Sequence, residues 1–403
     1  MVRTLAYREI YFGADPEFFF QLKNNGKVLE SGIALKEIME KWKSTFADKN
    51  YYPTMYFKSD GVQVEINPQP ATCRVVAGGN LGHPIQNLYE VLKKTNYTPD
   101  NRVLIELTDE ELSKLSTKAK RLGCAPSLHI DNYVKPLNID GSKYNFRSAG
   151  GHIHLGTYNI SKDCPIKHDQ KLLVDLLDRI LGNTCVLIDR DEANIERRKL
   201  YGQAGEYRIT TQWEGTVHER KGVEYRVLSN FWLASYQLMS MVYGLARMAH
   251  NIARKIYWDE HFSQDMRIKK YGTPFRRAFI DKVPRENIIR AINENNFNLA
   301  KENFDAIKNN LAKFGGYDTE HCPINLRYLN YFDHFVDKGL SYWFGKFKGY
   351  EAWINGTESG QGFESFLKGV VCPDYRLKPK GISRWKYYRY GFIAFDEDGR
   401  RIE

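Results

Sequence analysis

Residues 13–20 read Gly-Ala-Asp-Pro-Glu-Phe-Phe-Phe and place two acidic side chains two positions apart at the start of an apolar run. In a β-strand, residues i and i+2 point to the same face, so Asp15 and Glu17 would share one face of a sheet. The aromatic content of the run also favours a strand. We therefore predict a strand from Leu5 to Leu22, interrupted at Gly13, with an acidic face.

Three further stretches repeat this spacing: residues 60–68 (Asp-Gly-Val-Gln-Val-Glu-Ile-Asn-Pro), residues 150–156 (Gly-Gly-His-Ile-His-Leu-Gly) and residues 223–228 (Val-Glu-Tyr-Arg-Val-Leu). The polar residues that the four stretches would direct to one face are Asp15, Glu17, Gln63, Glu65, Asn67, His152, His154, Glu224 and Arg226. A single pair of this kind is typical of the solvent-exposed face of an antiparallel sheet. Four pairs in one chain predict a shared site.

Carboxylates crowded on one sheet face repel one another unless cations neutralise them. Oxygen ligands with an occasional imidazole suit Mg²⁺ or Mn²⁺, and none of the four stretches contains a cysteine that would favour zinc. The glycines on both sides of the histidine pair would let backbone and ligand approach closely. The pattern predicts a multi-metal site that binds phosphate.

Residues 196–208 read Glu-Arg-Arg-Lys-Leu-Tyr-Gly-Gln-Ala-Gly-Glu-Tyr-Arg. A charge run is usually a solvated loop, but here glycines bracket the run and Arg208 begins a strand, which also permits a mobile lid that carries guanidinium groups to phosphate. Arg226, two residues from Glu224, is the stronger candidate for binding phosphate. The P-loop, dinucleotide-binding, nucleophile-elbow and His-Glu-x-x-His motifs are absent from the sequence, so a bound nucleotide would lie on the sheet.

The composition excludes several classes of protein. The chain has 403 residues, of which 42% are hydrophobic and 27% charged, as in ordinary globular proteins. Its net charge of +10 is spread along the chain, which disfavours a dedicated nucleic-acid-binding protein. Six scattered cysteines without a Cys-x-x-Cys pair, together with the lack of a signal peptide or membrane-spanning run, predict a cytoplasmic protein with no membrane contact.

The predicted elements alternate between strands and helices. Beyond the first strand, the predicted strands are Met55 to Ile66, Ser127 to Ile130, His152 to Leu155, Tyr207 to Thr211 and Val223 to Leu228. The predicted helices are Leu81 to Lys94, Asp109 to Arg121, Asp169 to Leu187, Phe231 to Tyr257 and one or two helices from Pro284 to Phe314. Thr108 and Glu111 form a capping box, and Gly123 would end that helix. A change in composition suggests a boundary near residue 260.

In combination, these motifs resemble the phage and bacterial amidoligases of the carboxylate-amine ligase type 2 family, relatives of glutamine synthetase and γ-glutamylcysteine synthetase. The resemblance rests on five motifs between residues 10 and 232: Gly-Ala-Asp-Pro-Glu-Phe, Asp-Gly-x-x-x-Glu-x-Asn-Pro, Gly-Gly-His-Ile-His-Leu-Gly, Tyr-Gly-x-x-Gly-x-Tyr-Arg and Glu-Tyr-Arg. It implies an α+β fold with a curved, mainly antiparallel, glutamine synthetase-like sheet flanked by helices. Residues 1–260 would be the amidoligase catalytic domain, and residues 261–403 a mainly helical accessory region.

The resemblance also implies an activity. The chain would be an ATP-dependent ligase that joins a carboxylate to an amine through an acyl phosphate, forms an amide or isopeptide bond, and releases ADP and phosphate. Its cofactors would be ATP and Mg²⁺ or Mn²⁺, and its substrates small molecules or peptides. If a phage encodes the chain, it would act in the host cytoplasm. The related synthetases often assemble, so a homo-oligomer is compatible with the resemblance.

Site residues follow from the positions of the motifs. The implied ligands of a first ion are Glu17, Asp60 and Glu65, and those of the ion on the ATP phosphates are Asp15, His152 and Glu224. The implied phosphate-binding residues are Arg208 and Arg226, which are also the catalytic candidates, and His154. Asp15 departs from the better-known synthetases, which carry Glu at this position. Its shorter side chain would shift the ion or leave room for a water molecule.

Three other functions remain open at the level of sequence. A phosphotransferase of the guanidino-kinase type would use the same metals and arginines without forming an amide. A metal-dependent hydrolase could use the histidine pair without ATP. A non-catalytic nucleic-acid-binding protein would rest on the net charge and on residues 384–390, Arg-Trp-Lys-Tyr-Tyr-Arg-Tyr. For residues 384–390, an edge strand with an aromatic face is the favoured prediction.

Overall fold

The computed structural model describes residues 10–45, 57–71, 74–120, 127–131, 144–157, 164–212, 220–234, 236–315, 394–395 and 401–402. Four predicted features lie outside these ranges: the strand residues before Ile10, the start of the next strand at Met55 and Tyr56, the helix stop at Gly123 and the edge strand at residues 384–390. Among the described helices, none combines the length and the apolar character needed to cross a bilayer.

The described residues form one large antiparallel sheet. Its strands, and those of two small sheets, are β1 (Ile10–Leu22), β2 (Phe57–Asp60), β3 (Gln63–Ile66), β4 (Tyr97–Asp100), β5 (Leu104–Glu106), β6 (Leu128–His129), β7 (Phe146–Ser148), β8 (Gly151–Thr157), β9 (Glu206–Gln212), β10 (Arg220–Tyr225), β11 (Ala394–Phe395) and β12 (Arg401–Ile402). The large sheet has the order β2-β3-β1-β8-β10-β9-β6, and β4 also pairs with β1. Strands β5 and β7 pair separately, as do β11 and β12.

The central strand β1 separates a core face from a polar face. Its residues Phe12 and Ala14 belong to the main hydrophobic core, whereas Asp15 and Glu17 alternate with core residues and lie on the other face. The predicted interruption at Gly13 is wrong, because Gly13 stands in the ladder opposite His154 of β8 and the strand runs through it.

Helices flank the large sheet, and several of them pack in the main core on its apolar face. They are α1 (Ser31–Thr45), α2 (Arg74–Leu92), α3 (Asp109–Lys114), α4 (Thr117–Lys120), α5 (Pro165–His168), α6 (Gln170–Leu177), α7 (Asn183–Val186), α8 (Ala193–Leu200), α9 (Tyr236–Phe262), α10 (Met266–Tyr271), α11 (Pro274–Phe279), α12 (Arg285–Asn293) and α13 (Phe297–Gly315). The predicted α+β class with a mainly antiparallel sheet is confirmed by this arrangement. The boundary expected near residue 260 falls inside α9, and Ile292 and Phe304 beyond it belong to the main core. The division into two domains stays a prediction.

Several predicted helices have different bounds. The helix expected from Asp169 to Leu187 is interrupted by a π-helical turn at Asp178–Gly182, whose residues are all buried. The helix expected from Phe231 begins as a 3₁₀ turn, Asn230–Ala234, before α9. The region from Pro284 to Phe314 forms two helices, α12 and α13.

The predicted capping box at the start of α3 is present, although the helix itself is shorter than expected. The Glu111 amide donates to Thr108 Oγ1 at 3.2 Å, and the Thr108 amide donates to Glu111 Oε2 at 2.9 Å. The helix ends at Lys114, because Leu115 is extended with ψ 144°, and α4 begins only at Thr117. A continuous helix over Asp109 to Arg121 is therefore wrong.

Replacing Thr108 by Ala is expected to destabilise α3 by about 1 kcal/mol, because the first turn loses its side-chain acceptor. This corresponds to roughly fivefold faster hydrogen exchange of the amides in α3 if the helix opens locally. Hydrogen exchange measured by mass spectrometry on peptides covering residues 109–114 tests this prediction. Ser113→Ala is the matched control, because Ser113 is exposed and is not a cap. Equal exchange in the two variants would contradict the role of the box.

Candidate metal centre

Strand register brings the predicted polar residues together. On the ladder between β1 and β8, Asp15 stands opposite His152. On the ladder between β8 and β10, His154 stands opposite Glu224, and Glu224 in turn stands opposite Arg208 of β9. Residues from four neighbouring strands therefore meet on the polar face of the sheet, as the repeated two-residue spacing predicted.

Within this group, Asp15, His154 and Glu224 can each offer a ligand atom within 4.8 Å of the other two. Asp15 Oδ1 lies 3.1 Å from His154 Nε2, and Glu224 Oε2 lies 3.9 Å from that nitrogen. His152 is close by, with Nδ1 3.0 Å from Asp15 Oδ1 and 3.7 Å from Glu224 Oε1. The three-residue cluster thus contains His154, whereas the resemblance implied His152.

The donor set fits a hard divalent cation. Asp15 Oδ1 and His154 Nε2 are buried, and neither has a hydrogen-bond partner among the described residues. Buried polar atoms without a partner are costly, so two that converge 3.1 Å apart need an explanation. Two carboxylates and one imidazole are ligands that Mg²⁺ and Mn²⁺ accept, and a bound cation would satisfy both atoms.

The electrostatics of the cluster are those of a paired acid and base. Burial would raise the pKa of Asp15, but His154 and His152 outweigh it and hold that pKa below its ordinary value. Burial would lower the pKa of His154, but Asp15 and then Glu224 raise it above its ordinary value. Asp15 is therefore a carboxylate near neutral pH, and a cation at His154 Nε2 would compete with a proton for that nitrogen.

Glu17, Glu65 and Asp60 form a second acidic group beside the cluster. Glu17 and Glu65 stand opposite each other on β1 and β3, and the Gly150 amide donates to Glu17 Oε2 at 2.6 Å. Burial raises the pKa of Glu17 to about 7, and Asp60 and Asp15 add to the rise while His152 opposes it. Burial and Asp15 likewise raise the pKa of Glu65. The group is gathered as predicted, but its oxygens do not converge as those of the three-residue cluster do.

Two arginines hold the carboxylate of Glu224. Arg208 Nε donates to Oε2 at 2.6 Å, and Arg226 Nε donates to Oε1 at 2.6 Å. Arg226 is 1% exposed and also donates to Ser127 Oγ at 2.8 Å, a contact that the sequence did not indicate. The Arg208 side chain is 32% exposed. Arg226 is therefore a fixed partner of Glu224, whereas Arg208 can turn toward a ligand.

The charge run at residues 196–208 is neither a solvated loop nor a lid. Residues 193–200 form α8, in which Arg197 and Arg198 are buried. Arg197 is fully buried and donates to the backbone carbonyls of Arg226, Val227 and Leu228 at 2.8–3.0 Å. Arg198 Nη1 donates to the carbonyl of Ile292. Both arginines support the backbone, so the predicted role in carrying guanidinium groups to phosphate is wrong for them.

The glycines around the histidine pair serve two purposes. A Cβ on Gly151 would lie 2.2 Å from the carbonyl oxygen of Ser229, and one on Gly150 would lie 2.4 Å from His152 Nε2, so these glycines permit packing of the chain on itself. Gly156 instead lines a cavity of about 330 Å³ on the same face of the sheet, together with Gly222 and His154. Of the glycines at which close approach of a ligand was predicted, only Gly156 borders the cavity, and its role stays a prediction.

The comparisons agree with the motifs. Residues 134–321 match the sequence model of the family described as phage phiEco32-like COOH.NH2 ligase-type 2. This range includes β8, β9 and β10, while Asp15, Glu17, Asp60 and Glu65 precede it. No curated protein matches the chain.

Among solved structures, the chain is similar to one described as the complex between prokaryotic ubiquitin-like protein Pup and its ligase PafA. The identity is 11% and the TM-score 0.44, over 84% of this chain and 65% of that chain. The chain therefore spans less than two thirds of the length of that structure. By the sequence match, residues 134–321 are similar to the phage phiEco32-like COOH.NH2 ligase-type 2 family, whose name describes ligases that join a carboxylate to an amine.

Proposed function

We propose that the chain is an ATP-dependent carboxylate-amine ligase that works through an acyl phosphate. The observation that carries the proposal is the convergence of Asp15, His154 and Glu224, with two buried ligand atoms that lack a hydrogen-bond partner in the described part of the chain. The match of residues 134–321 to a ligase family supports the reaction class. The buried acidic cluster supplies the reason why a divalent cation and phosphate would meet there.

Asp15, His154 and Glu224 would hold the cation, with Glu17, Asp60 and Glu65 as the candidates for a second one. A bound Mg²⁺ would neutralise charge on the triphosphate and on the phosphoryl group in transit. The chain's own contribution is to present these carboxylates, already desolvated, on neighbouring strands of a sheet, where little reorganisation is needed during the reaction.

Arg208 and Arg226 would have separate roles at this site. Arg226 is buried and fixed, so it would hold the Glu224 carboxylate in a fixed orientation. Arg208 is partly exposed, so its guanidinium would leave Glu224 for an oxygen of the transferring phosphoryl group. Because a guanidinium stays protonated, this exchange would move positive charge without moving a proton.

The cavity beside the cluster would receive the nucleotide. It borders His154 and has glycine at Gly156 and Gly222, so a flat group could lie directly on the backbone of β8 and β10. Its volume of about 330 Å³ lies at the lower end of the range for ligand pockets, which run from about 300 to 1,000 Å³.

The reaction would balance as follows. A carboxylate oxygen of the acceptor attacks the γ-phosphorus of ATP, the bond to the β,γ-bridging oxygen breaks, and ADP leaves. The acyl phosphate then reacts with a neutral amine at its carbonyl carbon, so that a C–N bond forms, the C–O bond to phosphate breaks, and one proton is released. The substrates would be small molecules or peptides. Residues 1–260 would supply the catalytic domain, and residues 261–403 an accessory region.

The experiment that tests this function is incubation of the chain with ATP, Mg²⁺ and pools of amino acids and peptides, followed by mass spectrometry of the products. We expect phosphate release that depends on the added amine, and a product lighter by one water than its two substrates together. Glu224→Gln should abolish both signals, because the substitution removes a charged ligand. Glu90→Gln is the matched control, since Glu90 lies exposed on α2.

Two outcomes would overturn the proposal. A stable phosphorylated product formed without an amine would indicate a phosphotransferase. Product formation without ATP would indicate a hydrolase or another metal-dependent reaction.

A further inference from the structure

Arg285, the first residue of α12, bridges three elements that precede residue 260. Its Nη1 lies 2.8 Å from Asp178 Oδ2 in the buried π-helical turn and 3.4 Å from Asp175 Oδ1 on α6. Its Nη2 lies 3.1 Å from Asp131 Oδ2, just beyond β6. The Arg285 side chain is mostly buried among these three carboxylates. One residue of α12 thus joins α6, the π-helical turn and the end of β6.

Asp178 connects Arg285 to strand β10. Its Oδ1 accepts a hydrogen bond of 2.7 Å from the Tyr225 hydroxyl, and both side chains are fully buried. A Cβ on Gly182 would lie 2.4 Å from the Tyr225 hydroxyl oxygen, so a glycine in the π-helical turn makes room for this contact. Tyr225, Asp178 and Arg285 therefore form a continuous chain of contacts from β10 to α12.

Tyr225 stands between two residues of the proposed site. Glu224, before it, is a candidate cation ligand, and Arg226, after it, donates to Glu224 Oε1 at 2.6 Å. Because side chains alternate along a strand, the Tyr225 ring lies in the main core while Glu224 and Arg226 meet on the polar face. Tyr225 is therefore anchored on the core side of the sheet at the point where the metal centre lies on the other side.

Arg285 is the cation beside the buried Asp178 carboxylate, and the nearby Asp175 adds a negative charge. Burial raises the pKa of Asp178 to about 6, while Arg285 and then the Tyr225 hydroxyl oppose the rise. Removing one partner of a buried ion pair leaves an uncompensated charge, which is strongly destabilising. Without Arg285, Asp178 would take up a proton or turn away, and its contact with Tyr225 would change. Strand β10 would then lose its anchor beside Glu224.

We propose that Arg285 is a positioning residue of the metal centre. It acts through Asp178 and Tyr225 on the part of β10 that carries Glu224. This inference rests on the proposed function only in taking Glu224 as a ligand of a divalent cation, and it requires neither ATP nor any substrate. The sequence match to the ligase family includes α12 together with β8, β9 and β10. The accessory region expected after residue 260 would thus contribute a residue to the site.

The role of Arg285 is tested by Mn²⁺ binding to Arg285→Met, measured without nucleotide from the electron paramagnetic resonance signal of free Mn²⁺. Arg290→Met is the matched control on the same helix, because the Arg290 side chain is 60% exposed and pairs with Glu294 at the surface. We expect Arg285→Met to lower Mn²⁺ affinity about 10-fold, the lower end of the range for loss of an outer partner. Arg290→Met should leave the affinity unchanged. Equal affinities of the two variants would overturn the proposal.

The path through Tyr225 is tested by Tyr225→Phe, which removes only the hydroxyl and keeps the buried ring. We expect this variant also to bind Mn²⁺ more weakly than the unaltered chain. The variant with both substitutions should bind no more weakly than Arg285→Met alone, because residues that act through one path are not additive. If the two effects multiplied, Arg285 and Tyr225 would act independently, and the proposed path would be wrong.

Urea denaturation of each variant separates positioning from simple stabilisation. A purely structural role would lower the free energy of unfolding and leave the Mn²⁺ affinity of the folded chain unchanged, which would overturn the proposal. If Arg285→Met does not fold, Tyr225→Phe carries the test, and unchanged affinity in that variant overturns it. Absence of Mn²⁺ binding in the unaltered chain would overturn it as well. Failure of the ligase reaction with the expected Mn²⁺ results intact would count against the proposed function alone.

Discussion

Replacing Asp15 by Asn is expected to weaken Mn²⁺ binding by at least about 100-fold, above the 10–100-fold that loss of an outer partner typically costs. Asp15 is the carboxylate on which both histidines converge, with Oδ1 3.0 Å from His152 Nδ1 and 3.1 Å from His154 Nε2. An amide in its place would offer no charge to the cation. Amide formation by the proposed ligase should be lost with it. The measurement is Mn²⁺ titration followed by the ATP-dependent assay.

The matched control for Asp15 is Asp100→Asn. Asp100 is also a buried aspartate on a strand that pairs with β1, but it is bound by Arg102, whose Nη2 lies 2.6 Å from its Oδ2. It belongs to no metal-binding group among the described residues. We expect its replacement to leave Mn²⁺ affinity unchanged. Equal affinity of the Asp15 and Asp100 variants would show that the three-residue cluster is not the cation site.

The sequence was sufficient to predict which polar residues share one face of a strand, because the side chains of a β-strand alternate with a period of two. Asp15 and Glu17, or His152 and His154, must share a face if the segment is extended, and no distant contact is needed to decide this. The class of fold followed from the same alternation. The period of a strand carries no information about its partner strand. The order of the strands in the sheet was therefore implied only by the resemblance.

Other features depend on contacts that no local pattern records. The run of charge at residues 196–208 predicted a solvated loop or lid, because a buried arginine is rare and its partners here, three backbone carbonyls after β10, are about thirty residues away. The π-helical turn at Asp178–Gly182 also depends on residues that are distant in sequence. Its buried Asp178 accepts a hydrogen bond from the Tyr225 hydroxyl at 2.7 Å and pairs with Arg285, both distant in sequence. Only the folded chain reveals such partners.

Replacing Arg197 by Met is expected to lower the free energy of unfolding by about 3 to 5 kcal/mol. The substitution keeps an apolar stem of similar length but removes donors from the carbonyls of residues 226, 227 and 228. Each buried polar group left without a partner costs about 1–3 kcal/mol, and relief of the buried charge offsets part of that sum. Urea denaturation followed by circular dichroism and tryptophan fluorescence measures the change.

Lys199→Met is the matched control on the same helix, because the Lys199 side chain is 62% exposed and pairs with Glu196 at the surface. Such a pair contributes at most about 1 kcal/mol, so this variant should unfold close to the unaltered chain. If the two variants unfolded at the same urea concentration, Arg197 would not be the support of the segment after β10. If Arg197→Met alone is destabilised, the same segment that carries Arg226 and borders Glu224 depends on a buried guanidinium from α8. The metal centre would then be supported by Arg197 through the backbone of Arg226.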